Sequence, residues 1–338
     1  TAGKVDIAQA TLGVLHDDGS APANLATLDE ALSAENLAGA IRDVVGTAAA
    51  AVDVKATVTD SALTFNGCEL LATDIGFYSR SGFTKSTFTM QNSDVRVLKA
   101  SSAQFGSVTG LNFAGYLSSG SRVSVADSAV SSRVLRGTSV SAYGIKVFGT
   151  QSASSVSVDG VSITAVHADT TYGVWAGTAK DESCVAVLRS NVSSACCQEL
   201  TGCGSCSSTH YGISMTTLQG SSTLSVASSR VSAEGSGAFG VYLLQPSSSA
   251  LNLYDNVVET RSTNANSKSV SLYSYSSSSV LETITRNNFT TDGYVLQVFT
   301  SSSASSVVFF GNTLHAFNEV VAGSFSGTSK LYASCNFG

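Results

Sequence analysis

Residues 154–163 read SSVSVDGVSI. Val156 and Val158 alternate with serines, Asp159 and Gly160 interrupt the pattern, and Ile163 lies beyond it. Apolar–polar alternation is the mark of a half-buried strand, because successive side chains point to opposite faces. The phrase recurs as a serine, two apolar residues at alternate positions, four further residues and a third apolar one. SRVSVADSAV places Val123, Val125 and Val130; SCVAVLRSNV places Val185, Val187 and Val192; STLSVASSRV places Leu224, Val226 and Val231. Copies start at Ser61, Ser86, Ser121, Ser154, Ser183, Ser222, Ser249, Ser279, Ser305 and Ser329, spaced by 24 to 39 residues. The copy at Ser279 carries one inserted residue, and the last is partial.

A second phrase falls between these copies. SAYGIKVFG spans residues 141–149, YGVWAG starts at Tyr172, YGISM at Tyr211 and FGVYL at Phe239. Each unit therefore supplies at least two short strands and cannot bury its own apolar face. Stacked units can, with like strands paired in parallel. Parallel pairing needs a long return path, which a unit of this length provides. The expected fold is an all-β, right-handed parallel β-helix of about nine to ten coils. Uneven spacing fits, since extra residues leave as loops; a left-handed hexapeptide helix would need strict six-residue periods. At about 4.8 Å per coil the rod is roughly 45 Å long. Val and Ile are expected inside. Gly144, Gly173, Gly212 and Gly240 are expected at a bend where a Cβ would clash or φ is positive. Tyr143, Tyr172 and Tyr211 are expected to stack, with Lys146 and Trp175 pointing outward.

The ends read differently. In LATLDEALSAENLAGAIRDVV, residues 25–45, Leu28, Leu32, Leu37, Ile41 and Val44 recur at near-helical spacing, and Thr27 with Glu30 fits a capping box. The expectation is an N-terminal segment, 1–55, whose amphipathic helix caps the first coil, followed by the β-helix over 56–338. The C-terminal end shows no comparable plug, which predicts either end-to-end self-association or a larger parent chain.

Composition agrees with strands and turns. Of 338 residues, only 12% are charged and 2 are proline; a typical globular chain carries about 25% charge. A net charge of −6 gives no basic surface for nucleic acid. No apolar run is long enough to insert in a membrane. Thr1 in place of a start methionine suggests a processed piece of a longer product. Five of the seven cysteines lie within residues 184–206, and Asn191-Val-Ser193 and Asn288-Phe-Thr290 are glycosylation sequons. Together these predict an extracellular or cell-surface protein. Cys184, Cys196, Cys197, Cys203 and Cys206 are disulfide candidates on a protruding loop. Cys203-Gly-Ser-Cys206 can also be read as a redox or zinc pair, but a Gly/Ser loop and the lack of a second such pair favour the staple.

The architecture resembles right-handed parallel β-helices of the pectin-lyase-like kind, which include polysaccharide lyases, polygalacturonases, tailspikes and adhesins. The Ser/Val-rich texture resembles the dispersed gene family surface proteins of trypanosomatids. The resemblance covers residues about 50–338 and implies a fold and a surface role. The Asn-Thr-Asp, Gly-His-Gly and Arg-Ile-Lys signatures of polygalacturonases are absent, so no activity comes with it.

The best catalytic constellation is Asp127, Asp159 and Arg189, which fall just past the first strand in three successive coils. Stacking would bring them roughly 5 Å apart, close enough to share a proton, bind Ca²⁺ or hold a uronate. Asn92 and Asp255 occupy the equivalent place elsewhere, which favours ordinary turn residues. His16, His167, His210 and His315 read as isolated surface histidines. No cofactor or metal is expected. The leading expectation is a non-enzymatic structural or adhesive rod. A glycan-binding or glycan-cleaving protein is the alternative, drawing on Trp175, Tyr242, Asp127, Asp159 and Arg189. Ice binding is disfavoured by the mixed outward residues.

Overall fold

The structure is a computed structural model. It describes residues 4–8, 11–12, 50–55, 57–99, 107–134, 141–167, 169–196, 208–262, 267–275, 281–301, 306–316, 320–323 and 330–334. The chain is all-β, with three long sheets of 11, 10 and 12 strands. Each full coil gives one strand to each sheet. In one coil Ser155–Asp159 belongs to sheet 1, Ser162–Val166 to sheet 2 and Thr171–Ala179 to sheet 3. Like strands of successive coils pair in parallel, as Ser155–Asp159 does with Cys184–Leu188. This is a parallel β-solenoid, consistent with a parallel β-helix.

Every phrase start from Ser61 to Ser329 leads into a sheet 1 strand, from Ala62–Asn66 to Lys330–Ser334. Lys4–Ala8 adds one more by pairing with Ala62–Asn66, and Ala50–Val54 pairs with Ile75–Ser79 on sheet 3. Strand pairing therefore reaches into the N-terminal segment. The capping helix expected over 25–45 lies outside the described residues; no helix occurs among the described ones.

The interior is the stacked apolar rows. Val123, Val156, Val185, Leu224 and Leu251 are in register on successive coils, and all are buried. Each such side chain contributes about 1.5–3 kcal/mol of burial, most of it offset by chain entropy. The insertion near Ser279 is resolved with Leu281 outward, 52% exposed, and Glu282, Ile284 and Phe289 buried. Gly144, Gly173, Gly212 and Gly240 form an inner column on sheet 3. They lie within strands and have no positive φ, so of the two expected reasons the clash applies. A Cβ on Gly144 would meet Ile163 and the carbonyl oxygen of Gly173, the latter at 2.6 Å.

Several of the described serines that open the phrases accept a backbone N–H from the coil before. Ser86 Oγ accepts from Ser61 N at 3.1 Å, Ser121 Oγ from Ser86 N at 3.2 Å, and Ser222 Oγ from Ser183 N at 3.0 Å. A second column follows the turn between sheets 1 and 2. Ser190 N donates to Ser229 Oγ, Ser229 N to Asn256 Oδ1, Asn256 N to Asn287 Oδ1 and Asn287 N to Asn312 Oδ1. At these corners the strand ladder breaks, and side-chain oxygens satisfy buried backbone N–H groups that would otherwise cost about 1–3 kcal/mol each.

Candidate functional site

The predicted trio lies at the corner between sheets 1 and 2. Asp127 and Arg189 occupy a left-handed turn position, with φ of 45° and 47°, shared by Asn92 (50°), Asp255 (58°) and Arg286 (56°). A short polar side chain tolerates this conformation by bonding locally. Asp159 sits one residue earlier, at the end of its strand, and Gly160 takes the turn. Arg189 grips Asp159 through two bonds, Nε to Oδ1 at 2.8 Å and Nη2 to Oδ2 at 2.7 Å. The guanidinium holds the Asp159 carboxyl below its usual range. The same clasp joins Arg286 to Asp255 and Arg80 to Asp53. Trp175 and Tyr242, read with the trio as one groove, belong instead to sheet 3.

The outer face of sheet 3 is the more distinctive surface. Tyr143 and Tyr172 stack with centroids 4.8 Å apart and planes 4° apart, as do Tyr172 and Tyr211; Phe239 continues the column at 5.1 Å. The stack follows from parallel register, which brings identical residues within one strand spacing. Burial among the rings pushes the Tyr172 phenol well up, and Tyr242 up to about 12. Trp175 and Tyr242 stand crosswise to the column: Trp175 at 72° to Tyr143, and Tyr242 at 61° to Tyr211 and 74° to Phe239. Lys146 Nζ lies 4.5 Å from the Tyr143 ring centroid and 5.5 Å from that of Trp175, and Lys268 Nζ 4.8 Å from that of Phe239. Burial lowers both lysine pKa values.

The expectation of surface histidines is corrected for two of the four. His167 and His210 are 1% and 0% exposed. His210 pairs with Thr171 and Ala238 at the inward start of sheet 3. Its Nδ1 lies 2.7 Å from Thr171 Oγ1, which lies 2.6 Å from Ser194 Oγ. His167 Nδ1 accepts from Asp169 N at 2.8 Å, which leaves the proton of the neutral ring on Nε2. His315 is exposed, and His16 lies outside the described residues.

Desolvation, aided by nearby His167 and opposed by Asp169, lowers His210 to about 4. The folded state therefore binds this proton less readily than the unfolded chain does, whose histidine titrates near 6.5. Stability from the neutral ring is present above pH 6.5 and is lost as pH falls towards 4. Going from pH 7 to 5 should cost about 2 kcal/mol from His210 alone. Thermal melting across this range would check it, and His210→Gln should flatten the profile.

Cys68 and Cys184 are free thiols. Cys184 opens a sheet 1 strand beside Ser155 and Thr223, which separates it from the stretch after sheet 2 that holds the other cysteines of the cluster. Cys196 is the one described cysteine that is not a free thiol; Cys197, Cys203 and Cys206 lie outside the described residues. Asn191 and Asn288 are exposed at the first positions of sheet 2 strands. The sequence signal for the aromatic column was the repeated YG phrase; the same phrase signals His210, which precedes the outward Tyr211 as Ala142 precedes Tyr143 and Thr171 precedes Tyr172.

The class defined by these observations is a parallel β-solenoid with an aromatic outer face. No family model, curated protein or solved structure matches the chain, so no relative supports the adhesin or trypanosomatid resemblance.

Proposed function

We propose that this chain is a non-enzymatic extracellular scaffold, a right-handed rod that presents a binding face. The observation that carries the reading is the clasp of Asp159 by Arg189. A general acid needs a carboxyl pKa raised towards neutrality. Here the guanidinium lowers it, and the same two-bond pairing recurs between Arg286 and Asp255 and between Arg80 and Asp53. Incubation with acidic and neutral polysaccharides, with Ca²⁺ supplied, should release no new reducing ends. Cleavage that Asp159→Asn abolishes without altering the fold would overturn the reading.

The extracellular setting rests on the exposure of Asn191 and Asn288, which leaves both sequons open to glycosylation, and on a disulfide staple among Cys196, Cys197, Cys203 and Cys206. If the staple comprises two bridges, intact mass should rise by about 4 Da on reduction, since each bridge hides two hydrogens. A full set of free thiols, or stoichiometric zinc, would remove it. End-to-end association is part of the same proposal. Among the described residues, the strands Lys4–Ala8 and Lys330–Ser334 each pair on one side, and such edges are templates for further pairing. Light scattering that reads a monomer at high concentration would argue against it.

A further inference from the structure

Tyr143, Tyr172 and Tyr211 hold one position on three successive coils of sheet 3, paired in register. All three are half-buried. Neighbouring rings lie 4.8 Å apart with planes 4° apart. Their hydroxyls, and the ring carbons beside the hydroxyls, therefore repeat along the rod at about one strand spacing. The backbones are already that close, so rotation about side-chain torsions alone brings carbons of two neighbouring rings together.

The surrounding aromatic pairs lack this geometry. Tyr242 meets Tyr211 at 61°, and Trp175 meets Tyr143 at 72°. Phe239 continues the column, 16° from the Tyr211 plane, but has no hydroxyl. Tyr143 and Tyr211 are two strand spacings apart, about 10 Å, and do not touch across Tyr172. Tyr172 is therefore common to both close phenol pairs.

We propose that the tyrosine column is a site of oxidative cross-linking, at which Tyr172 joins Tyr143 or Tyr211 through a carbon–carbon bond and fastens one coil to the next. The oxidant is hydrogen peroxide, used by a peroxidase that removes one electron at a time. Each phenol gives up one electron and its hydroxyl proton and becomes a phenoxyl radical. The two unpaired electrons form a bond between ring carbons next to the oxygens. The hydrogen on each of those carbons then moves to the oxygen, which restores both aromatic rings and both hydroxyls. The two electrons and two protons reduce one hydrogen peroxide to two waters. Burial raises the pKa of all three phenols, so at neutral pH they start protonated and the proton leaves with the electron. The column alone carries this inference, which goes beyond the scaffold reading and stands whether or not that reading does.

Lys146, Lys180, Arg189 and Arg230 separate Tyr143, Tyr172, Tyr211 and Tyr242 onto different tryptic peptides, so each joined pair is readable by mass. The full chain, kept dilute, is treated with a haem peroxidase and hydrogen peroxide, and free tyrosine in a parallel reaction proves the oxidant active. The product should run as a monomer and show dityrosine fluorescence. Its digest should contain Tyr172 joined to Tyr143 or Tyr211, two hydrogens lighter than the separate peptides together. It should also melt several degrees higher, because a bond between coils removes freedom from the unfolded chain. Tyr172→Phe should keep the fold, since Phe239 already fills the same column beside Tyr211, and should lose both products. Tyr242→Phe should keep them. The absence of joined peptides beside active oxidant would overturn the proposal, as would joining only between molecules. So would a main product of Tyr211 with Tyr242, or products that persist in Tyr172→Phe.

Discussion

Val187→Asp is expected to destabilise the fold by about 4 kcal/mol or more, enough to unfold a domain of ordinary stability. Val187 is fully buried, in register between Val158 and Val226 on sheet 1. The substitution removes one apolar side chain from the stack and puts a carboxyl where the row offers it no polar partner. Burying such a group without a hydrogen bond costs several kcal/mol, even when it escapes ionisation by taking up a proton. Ala186→Asp is the control. Ala186 lies next along the same strand on the outward face, between Ser157 and Ser225, and the change there should stay within about 0.5 kcal/mol. Urea unfolding of the two variants compares the faces directly. A one-residue slip in register would exchange the two results, so wild-type-like unfolding of Val187→Asp rejects the alignment of all the coils that share its row.

Gly173→Ala should cost about 3 kcal/mol through crowding alone. The new methyl would collide with Val192 Cγ1 and lie 2.6 Å from the carbonyl oxygen of Gly212. Neither neighbour can yield cheaply. Val192 is β-branched and stiff at χ1, and the Gly212 carbonyl belongs to the next coil's backbone. Gly120→Ala provides the contrast. Gly120 has φ of +75° but open space around its Cβ position, so its cost should be limited to about 1 kcal/mol of backbone strain. If Gly120→Ala proved the more damaging, the tight approach of sheet 3 to sheet 2 at the glycine column would be wrong. Both variants can be ranked by thermal melting under one set of conditions.

Much of the solenoid was legible because its signals are local and repeated. Val123, Val156, Val185 and Leu224 announce themselves by alternation, and the phrase starts give the coil count without any knowledge of contacts. The stack of Tyr143, Tyr172 and Tyr211 follows once equivalent positions are assumed to lie side by side. The trio illustrates the limit of that argument. Asp127, Asp159 and Arg189 fall at nearly equivalent places with a one-residue offset visible in the sequence, but that Arg189 at the left-handed turn clasps the carboxylate of Asp159 on the neighbouring coil was not. The phrase serines show another limit. Their recurrence is visible, but that Ser86 Oγ receives the Ser61 N–H depends on how the corner closes between coils 25 residues apart.

What the sequence determined by itself is the strand content, the inward rows and the one-coil-per-repeat architecture, because a side-chain period of two and a recurring phrase leave stacking as the only way to bury the apolar face. What the tertiary structure alone decided is which residues of different coils meet. It buried His210 against Thr171, left Cys184 as a free thiol on sheet 1, moved Trp175 and Tyr242 to a different face from Asp159, and set Lys146, Trp175, Ser214 and Tyr242 in one row. The physical reason is that coil lengths vary with the loops, so the neighbours of a residue one coil away are chosen by backbone pairing register and corner geometry, which no local pattern of the chain encodes.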